Sequence, residues 1–240
     1  MIKPIYRKLR GPTKGDRYDV LTNEIIGKVL SPNSNAIDIG CHRGEILDVI
    51  LKCSPFGHLY AFEPLPVFAA HLRRRFQSHA NVRVFECALS DTVGRVSFHH
   101  NITSPDYSGI RRRTYDRGDT KIEKIDVEVA TLDSLVPEDE VCDLMKLDVE
   151  GAEYQVLRGA TRVIGQGGPV IVFEHGIGGA DHYGTRPEMI FDLLSALQYD
   201  IYPLDPSFDG ALSREEMITQ FTEGLNHYFC AVKAGRARPF

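Results

Sequence analysis

Short apolar runs alternate with segments of helical periodicity along most of this chain. Strands are predicted over 35–39, 58–62, 82–85, 95–98, 125–129, 142–147, 169–173, 200–202 and 228–232. Helices are predicted over 16–30, 45–51, 65–76, 153–160, 188–197 and 214–221. Strands that alternate with helices are typical of βαβ units around a parallel sheet. The pattern therefore predicts a doubly wound α/β domain whose main sheet has seven strands.

One polar stretch, residues 101–124, interrupts this pattern. It contains Gly109, Gly118 and the basic run Arg111-Arg112-Arg113. Loops of that length usually carry a function or are disordered, so we predict a substrate loop. For the arginine run, a solvated surface is the default interpretation. The functional alternative is that these arginines bind a phosphate or carboxylate group of the acceptor.

Composition excludes several classes of protein. The 240 residues carry 28 basic and 33 acidic side chains, a net charge of −5, and 42% of them are hydrophobic. That is enough apolar material for a sizeable core and too much for a disordered chain. A mildly acidic chain also lacks the basic character expected of a general binder of nucleic acids. No apolar run approaches the roughly 18 residues that a membrane span requires.

The cysteines and the first residues bear on the compartment. The five cysteines are widely spaced and include no Cys-x-x-Cys pair, which indicates reduced thiols. The opening residues lack the apolar stretch of a secretory signal. We therefore expect a cytoplasmic protein that forms one domain over 1–240, with a helical segment over 1–30. Its oligomeric state is not indicated.

The first signal of a binding site is a strand end that runs through a glycine turn into a helix. Asp38 and Gly40 close the strand, and Gly44 follows four residues after Gly40. This spacing differs from the dinucleotide fingerprint G-x-G-x-x-G, and a carboxylate there suits a cationic group better than a pyrophosphate. Glu63 ends the next strand, where an acid can accept both hydroxyls of a ribose. Together these residues predict S-adenosylmethionine, although a plain glycine turn beside a surface acid stays open.

A longer string makes the assignment more specific. Residues 144–153, Leu-Met-Lys-Leu-Asp-Val-Glu-Gly-Ala-Glu, resemble the signature of the FkbM-type methyltransferase family, as do 129–135, 87–91 and Glu174-His175. The resemblance implies the class I methyltransferase sheet, ordered 3-2-1-4-5-7-6 with its last strand antiparallel. It also implies O-methylation of a hydroxyl on a sugar, glycan or secondary metabolite.

The resemblance also implies which residues hold the cofactor. Asp38, Gly40 and Gly44 would line its methionine end, Glu63 would hold the ribose, Cys87, Ala88 and Leu89 would border the adenine, and Pro64-Leu65 would supply an apolar surface.

Methyl transfer to a neutral hydroxyl benefits from a positioned base near the end of the fourth or fifth strand. Asp148, Glu150, Glu174 and His175 are the candidates there. His175 is the first choice because an imidazole titrates near neutral pH, and a supporting, capping role for it stays open. Asp148 could instead orient the substrate or the cofactor, Lys146 could pair with one of these acids, and Glu153 is better explained as a helix N-terminal acid.

Three alternatives remain at this point. In a catechol-type methyltransferase, Asp148, Glu174 and His175 would hold magnesium or manganese, but the resemblance requires no metal and we predict none. A nicotinamide-dependent oxidoreductase would share Glu63, yet the chain lacks both G-x-G-x-x-G and a Tyr-x-x-x-Lys pair. The third alternative is a catalytically silent, cofactor-binding partner subunit.

Overall fold

The computed structural model describes residues 13–103, 108–111 and 120–240, which form two sheets with flanking helices. The strands are β1 (Ala36–Ile39), β2 (Leu59–Phe62), β3 (Val82–Phe85), β4 (Ala88–Leu89), β5 (Gly94–Asn101), β6 (Ile122–Ala130), β7 (Leu144–Leu147), β8 (Val170–Glu174), β9 (Tyr199–Pro203) and β10 (Tyr228–Lys233). The helices are α1 (Lys14–Val29), α2 (Glu45–Cys53), α3 (Pro66–Arg75), α4 (Leu132–Leu135), α5 (Glu153–Arg158), α6 (Thr161–Gly167), α7 (Pro187–Ala196) and α8 (Arg214–Thr222). Among these helices, none combines the length and the apolar character needed to span a membrane.

The larger sheet has the strand order β3-β2-β1-β7-β8-β10-β9. Its first five strands pair in parallel, and β10 runs antiparallel to both β8 and β9. Because β7 to β10 are the fourth to seventh strands of this sheet, the order is 3-2-1-4-5-7-6. The predicted doubly wound α/β fold, with seven strands and an antiparallel last strand, is confirmed.

Both faces of this sheet are covered. Alternate residues of β1 enter different apolar clusters: Ile37 and Ile39 pack on one side, and Ala36 packs on the other with Ile25 and Ile26 of α1. All four residues of β1, β2 and β7 are buried. Strands buried on both faces read as continuous apolar runs, so the polar Asp38 and Lys146 within these strands stand out.

The second sheet, ordered β4-β6-β5, was not predicted. β5 pairs with β6 in antiparallel register from Gly94 opposite Val129 to Asn101 opposite Ile122. The predicted loop 101–124 was therefore too long, since its first residue and its residues 122–124 belong to strands. Solvent-facing polar side chains along this hairpin masked the strand pattern. Residues 104–107 and 112–119, including Arg112 and Arg113, lie outside the described part of the chain, and Arg111 is exposed.

Candidate functional site

A cavity of about 1030 Å³ lies at the carboxyl ends of β1, β2 and β7. Ligands of open α/β sheets bind at this edge. Its lining includes eight of the nine predicted cofactor residues: Asp38, Gly40, Glu63, Pro64, Leu65, Cys87, Ala88 and Leu89. Asp148 and Glu150 line it as well.

Two further walls of the cavity were missed by sequence reasoning. One consists of α1 residues at helical spacing, and the other of residues in and beside the β5–β6 hairpin. The α1 wall is formed by Asp16, Asp19, Val20 and Asn23, and the second wall by Phe98, Ser108 and Ile110. The spacing 16, 19, 20 and 23 does mark one face of a helix, but only the packing of α1 on the sheet shows that this face meets the cavity.

Asp38 is a buried carboxylate in the cavity wall. It is 1% exposed, and neither of its side-chain oxygens accepts a hydrogen bond from a described residue. The ammonium of Lys146, its register partner on β7, lies 4.0 Å away. Burial raises the pKa of Asp38 above its ordinary value. A buried carboxylate without a hydrogen-bonding partner is costly, so Asp38 is suited to a ligand that brings a cationic donor.

The two glycines of the turn serve different purposes. Gly40 has a φ of +79°, and a Cβ there would lie 1.8 Å from the carbonyl oxygen of Asp148. Glycine at this position therefore lets the turn after β1 approach the turn after β7. Gly44 has a φ of +82° and packs beside Leu72 of α3; it does not line the cavity. Glycine is favoured at position 44 because the turn before α2 requires a positive φ there.

Glu63 ties the ends of the first two strands together. Its Oε2 accepts a hydrogen bond from the His42 amide at 2.8 Å, and its Oε1 accepts one from the Leu65 amide at 2.9 Å. Burial nevertheless outweighs these bonds and raises the pKa of Glu63 to about 7. Since a carboxylate oxygen has two lone pairs, both oxygens keep capacity for hydroxyl groups of a ligand.

Three carboxylates converge beyond the end of β7. They belong to Asp148, Glu150 and Glu174, and each offers an oxygen that lies within 4.8 Å of the other two. Asp148 Oδ2 accepts a hydrogen bond from the Tyr228 hydroxyl at 2.5 Å and lies 3.4 Å from Lys146 Nζ. Burial alone would raise the pKa of Asp148, but the Lys146 charge and hydrogen bonds with Glu174 and Tyr228 lower it. Asp148 is therefore ionised at neutral pH.

Lys146 is held as a cation by the same groups. Burial alone lowers its pKa, but the carboxylates of Asp148 and Asp38 raise it by more, so the net shift is upward. Its ammonium also donates a hydrogen bond to the Gly40 carbonyl at 3.3 Å. Lys146 thus links the strand-end carboxylate Asp38 to the carboxylate cluster beyond β7.

His175 lies apart from this cluster. Its side chain is 1% exposed, its ring stacks on Phe221 with centroids 4.9 Å apart, and it lines neither the large cavity nor a smaller one of about 180 Å³ beside Glu174. The backbone of His175 continues the β8–β10 pairing by donating to the His227 carbonyl. Since neighbouring residues of a strand point to opposite faces, Glu174 faces Asp148 while His175 faces away. This placement disfavours His175 as the base.

The environment of His175 predicts an effect on stability instead. Burial lowers its pKa to about 4, and neither ring nitrogen has a hydrogen-bond partner among the described residues. Between pH 4 and the ordinary value of 6.5, the unfolded state binds more protons than the folded state, so stability falls as pH falls through this window.

We expect His175→Phe to keep wild-type kcat and to lose less stability on acidification. Between pH 7 and 4 the difference in the free energy of unfolding should approach about 3 kcal/mol, from 1.36 kcal/mol per unit of pKa. Urea unfolding at several pH values measures it. A hundredfold fall in kcat in this variant, with its stability unchanged, would instead support His175 as the base.

Comparison with known proteins identifies similar chains. The family described as "Methyltransferase FkbM domain" matches residues 38–201. The 2-O-methyltransferase NoeI of Sinorhizobium fredii is 31% identical over 153 residues, which are 59% of this chain and 63% of that protein. The match thus spans less than two thirds of this curated relative.

Solved structures share the fold. The methyltransferase FkbM of Methylobacillus flagellatus superposes with a TM-score of 0.53 at 17% identity, over 84% of this chain and 44% of that one. A Streptococcus mutans methyltransferase in complex with SAH superposes with a TM-score of 0.50 at 10% identity, over 89% of this chain and 96% of that one. At such identities the likeness extends to the fold alone.

Proposed function

The chain belongs to the FkbM methyltransferase family, and from this premise we propose that it transfers a methyl group from S-adenosylmethionine to a hydroxyl oxygen of a sugar, glycan or secondary metabolite. Residues 1–240 act in this proposal as one methyltransferase domain. The observation that carries it is the buried carboxylate of Asp38, which accepts no hydrogen bond from a described residue and lines the same cavity as Glu63.

The cavity residues fit the three parts of this cofactor. Asp38 offers the ammonium of the methionine moiety a carboxylate that accepts no hydrogen bond from the described residues, and Glu63 offers lone pairs to the ribose hydroxyls. The remaining surface suits an adenine ring and is formed by Pro64, Leu65, Cys87, Ala88 and Leu89. When bound, S-adenosylmethionine supplies a methyl group on a sulfonium, a good leaving group.

We assign the base role to Asp148 rather than to His175. As the oxygen–carbon bond forms, the carbon–sulfur pair leaves with sulfur and the acceptor hydroxyl must lose its proton. Asp148 is ionised, lines the cavity and lies at the end of β7, so its carboxylate can receive that proton. The hydrogen bond between Asp148 and Glu174 needs one proton between the two carboxylates; Glu174 holds it, and Asp148 is the group free to receive the proton of the acceptor.

Isothermal titration calorimetry tests the cofactor assignment. We expect S-adenosylmethionine and its demethylated product to bind, and neither NAD nor NADP to do so. Incubation with isotope-labelled donor and a panel of sugars and hydroxylated metabolites then tests transfer by mass spectrometry. Tight NAD binding without any response to the methyl donor would overturn the proposal in favour of an oxidoreductase. Cofactor binding without transfer to any acceptor would favour the silent partner subunit.

A metal-dependent methyltransferase is the second candidate, favoured by the convergence of Asp148, Glu150 and Glu174. Magnesium and manganese prefer such oxygen ligands. However, the Lys146 ammonium already lies 3.4 Å from Asp148 and neutralises part of that charge. We therefore expect turnover to survive treatment with a chelator. Loss of activity that magnesium or manganese restores would establish the metal-dependent reaction.

A further inference from the structure

We propose that Tyr228 is a positioning residue for methyl transfer, holding the Asp148 carboxylate toward the acceptor through its hydroxyl group. This inference rests on the proposed role of Asp148. The Tyr228 hydroxyl donates to Asp148 Oδ2 at 2.5 Å, across 80 residues of sequence. Tyr228 also lies outside residues 38–201, the part of the chain that the family match covers.

Backbone pairing brings Tyr228 to this place. Tyr228 is directly opposite Glu174 in the antiparallel β8–β10 pair, so both side chains project from the same face of the sheet. Asp148 follows β7, which neighbours β8. The Tyr228 hydroxyl on β10 therefore approaches Asp148 from the β8 side of β7, whereas β1 lies on the other side of β7.

A second set of contacts fixes the ring of Tyr228. It packs against the ring of Tyr18 on α1, with centroids 5.0 Å apart. The Tyr18 hydroxyl in turn donates to Asn226 Oδ1 and accepts from the His227 amide, both at 3.2 Å. Because strand pairing and the α1 contact act together, the Tyr228 oxygen has little freedom to leave Asp148.

The charges around this bond explain why it matters. Burial and the carboxylates of Asp148 and Glu174 raise the pKa of Tyr228 well above its ordinary value, so the phenol stays protonated and acts as a donor. Tyr228 and Lys146 both contact Oδ2 of Asp148, and together they set the direction in which the carboxylate points. Without the hydroxyl, the carboxylate can rotate toward Lys146, and its alignment with the acceptor is lost.

Tyr228→Phe removes the hydroxyl and keeps the ring. We expect kcat to fall roughly 10- to 100-fold, since a hydrogen bond to a charged group contributes about that much. The cofactor Kd and the KM of the acceptor should stay within about threefold of wild type, because no binding contact is removed. Steady-state kinetics with an acceptor taken from the labelled-donor panel, together with calorimetry, measure these values.

Tyr199→Phe is the matched control. It deletes the buried hydroxyl of a tyrosine on β9, which donates to the Pro169 carbonyl at 3.0 Å and lies away from the cavity lining, so it should lower the unfolding midpoint and leave kcat unchanged. If both variants lose the same fraction of kcat, the Tyr228 effect is structural and the proposal fails. Wild-type kcat in Tyr228→Phe would also overturn it.

A double-mutant cycle with Asp148→Asn separates this inference from the function on which it rests. If Tyr228 acts through Asp148, adding Tyr228→Phe to Asp148→Asn should cost less than about twofold in kcat. Fully additive losses would contradict the positioning role. An active Asp148→Asn enzyme would instead refute the base assignment, whatever Tyr228→Phe does.

Discussion

Asp148→Asn is expected to lower kcat by roughly 10²- to 10⁴-fold, the usual contribution of a positioned general base. The carboxylate is ionised at neutral pH because Lys146 and the hydrogen bonds with Glu174 and Tyr228 hold its pKa low. An amide of nearly the same shape cannot take the hydroxyl proton. Cofactor affinity should change little, since Asp38 and Glu63 carry the proposed cofactor contacts. Single-turnover kinetics with labelled donor measure the chemical step.

The exposed Asp139, in the loop before β7 and away from the cavity lining, provides the same chemical change as a control. Asp139→Asn should leave kcat and cofactor Kd unaltered. Glu174→Gln distinguishes the two carboxylates that share a hydrogen bond: a larger loss in Glu174→Gln than in Asp148→Asn would move the base role to Glu174. Near wild-type turnover in both variants would remove this cluster from the chemistry.

The parts of the site that sequence could predict are local. Asp38, Gly40 and Glu63 lie at the ends of buried strands, and parallel strand ends meet at one edge of a sheet. Short sequence motifs were therefore sufficient to predict that these residues lie together. The α1 wall, the β5–β6 hairpin wall and Tyr228 depend on packing between distant segments, such as the 80 residues between Tyr228 and Asp148. Hydrophobic periodicity carries no information about such pairings.

His175 shows a different failure. Its chemistry and its position near a strand end favoured a base role, but the side chain of a strand residue alternates between faces. Glu174 already occupies the face toward Asp148, so its neighbour must point toward Phe221 of α8. If the exact last residue of β8 had been known, strand alternation would have favoured Glu174 over His175 as the candidate base.

Glu63→Gln is expected to weaken S-adenosylmethionine binding roughly 100-fold. One ribose hydroxyl then meets an amide that cannot accept, and the other loses a charge-assisted bond; such bonds contribute about 1.5–3 kcal/mol each. In the wild type, the pKa of Glu63 near 7 also makes affinity rise as pH rises through 7, because the carboxylate form is the better acceptor. Calorimetric titrations from pH 6 to 8 should show this rise in the wild type and a flat profile in the variant.

The same shift predicts an opposite trend in the stability of the protein without cofactor. Because the folded pKa of Glu63 is about 7 and its ordinary value is 4.5, the folded state binds more protons in that window, and stability falls as pH rises through it. Glu63→Gln should remove a fall of about 3 kcal/mol between pH 4.5 and 7. Glu86, which follows β3 as Glu63 follows β2 but is exposed and pairs with Arg73 at 2.7 Å, is the matched control, and Glu86→Gln should keep the wild-type slope. Equal slopes in all three proteins would show that Glu63 is ionised in the folded state well below pH 7. The contribution of Glu63 to the stability of the free protein is thus smallest in the pH range where the protein should bind cofactor best, since both effects follow from the ionised form of one buried carboxylate.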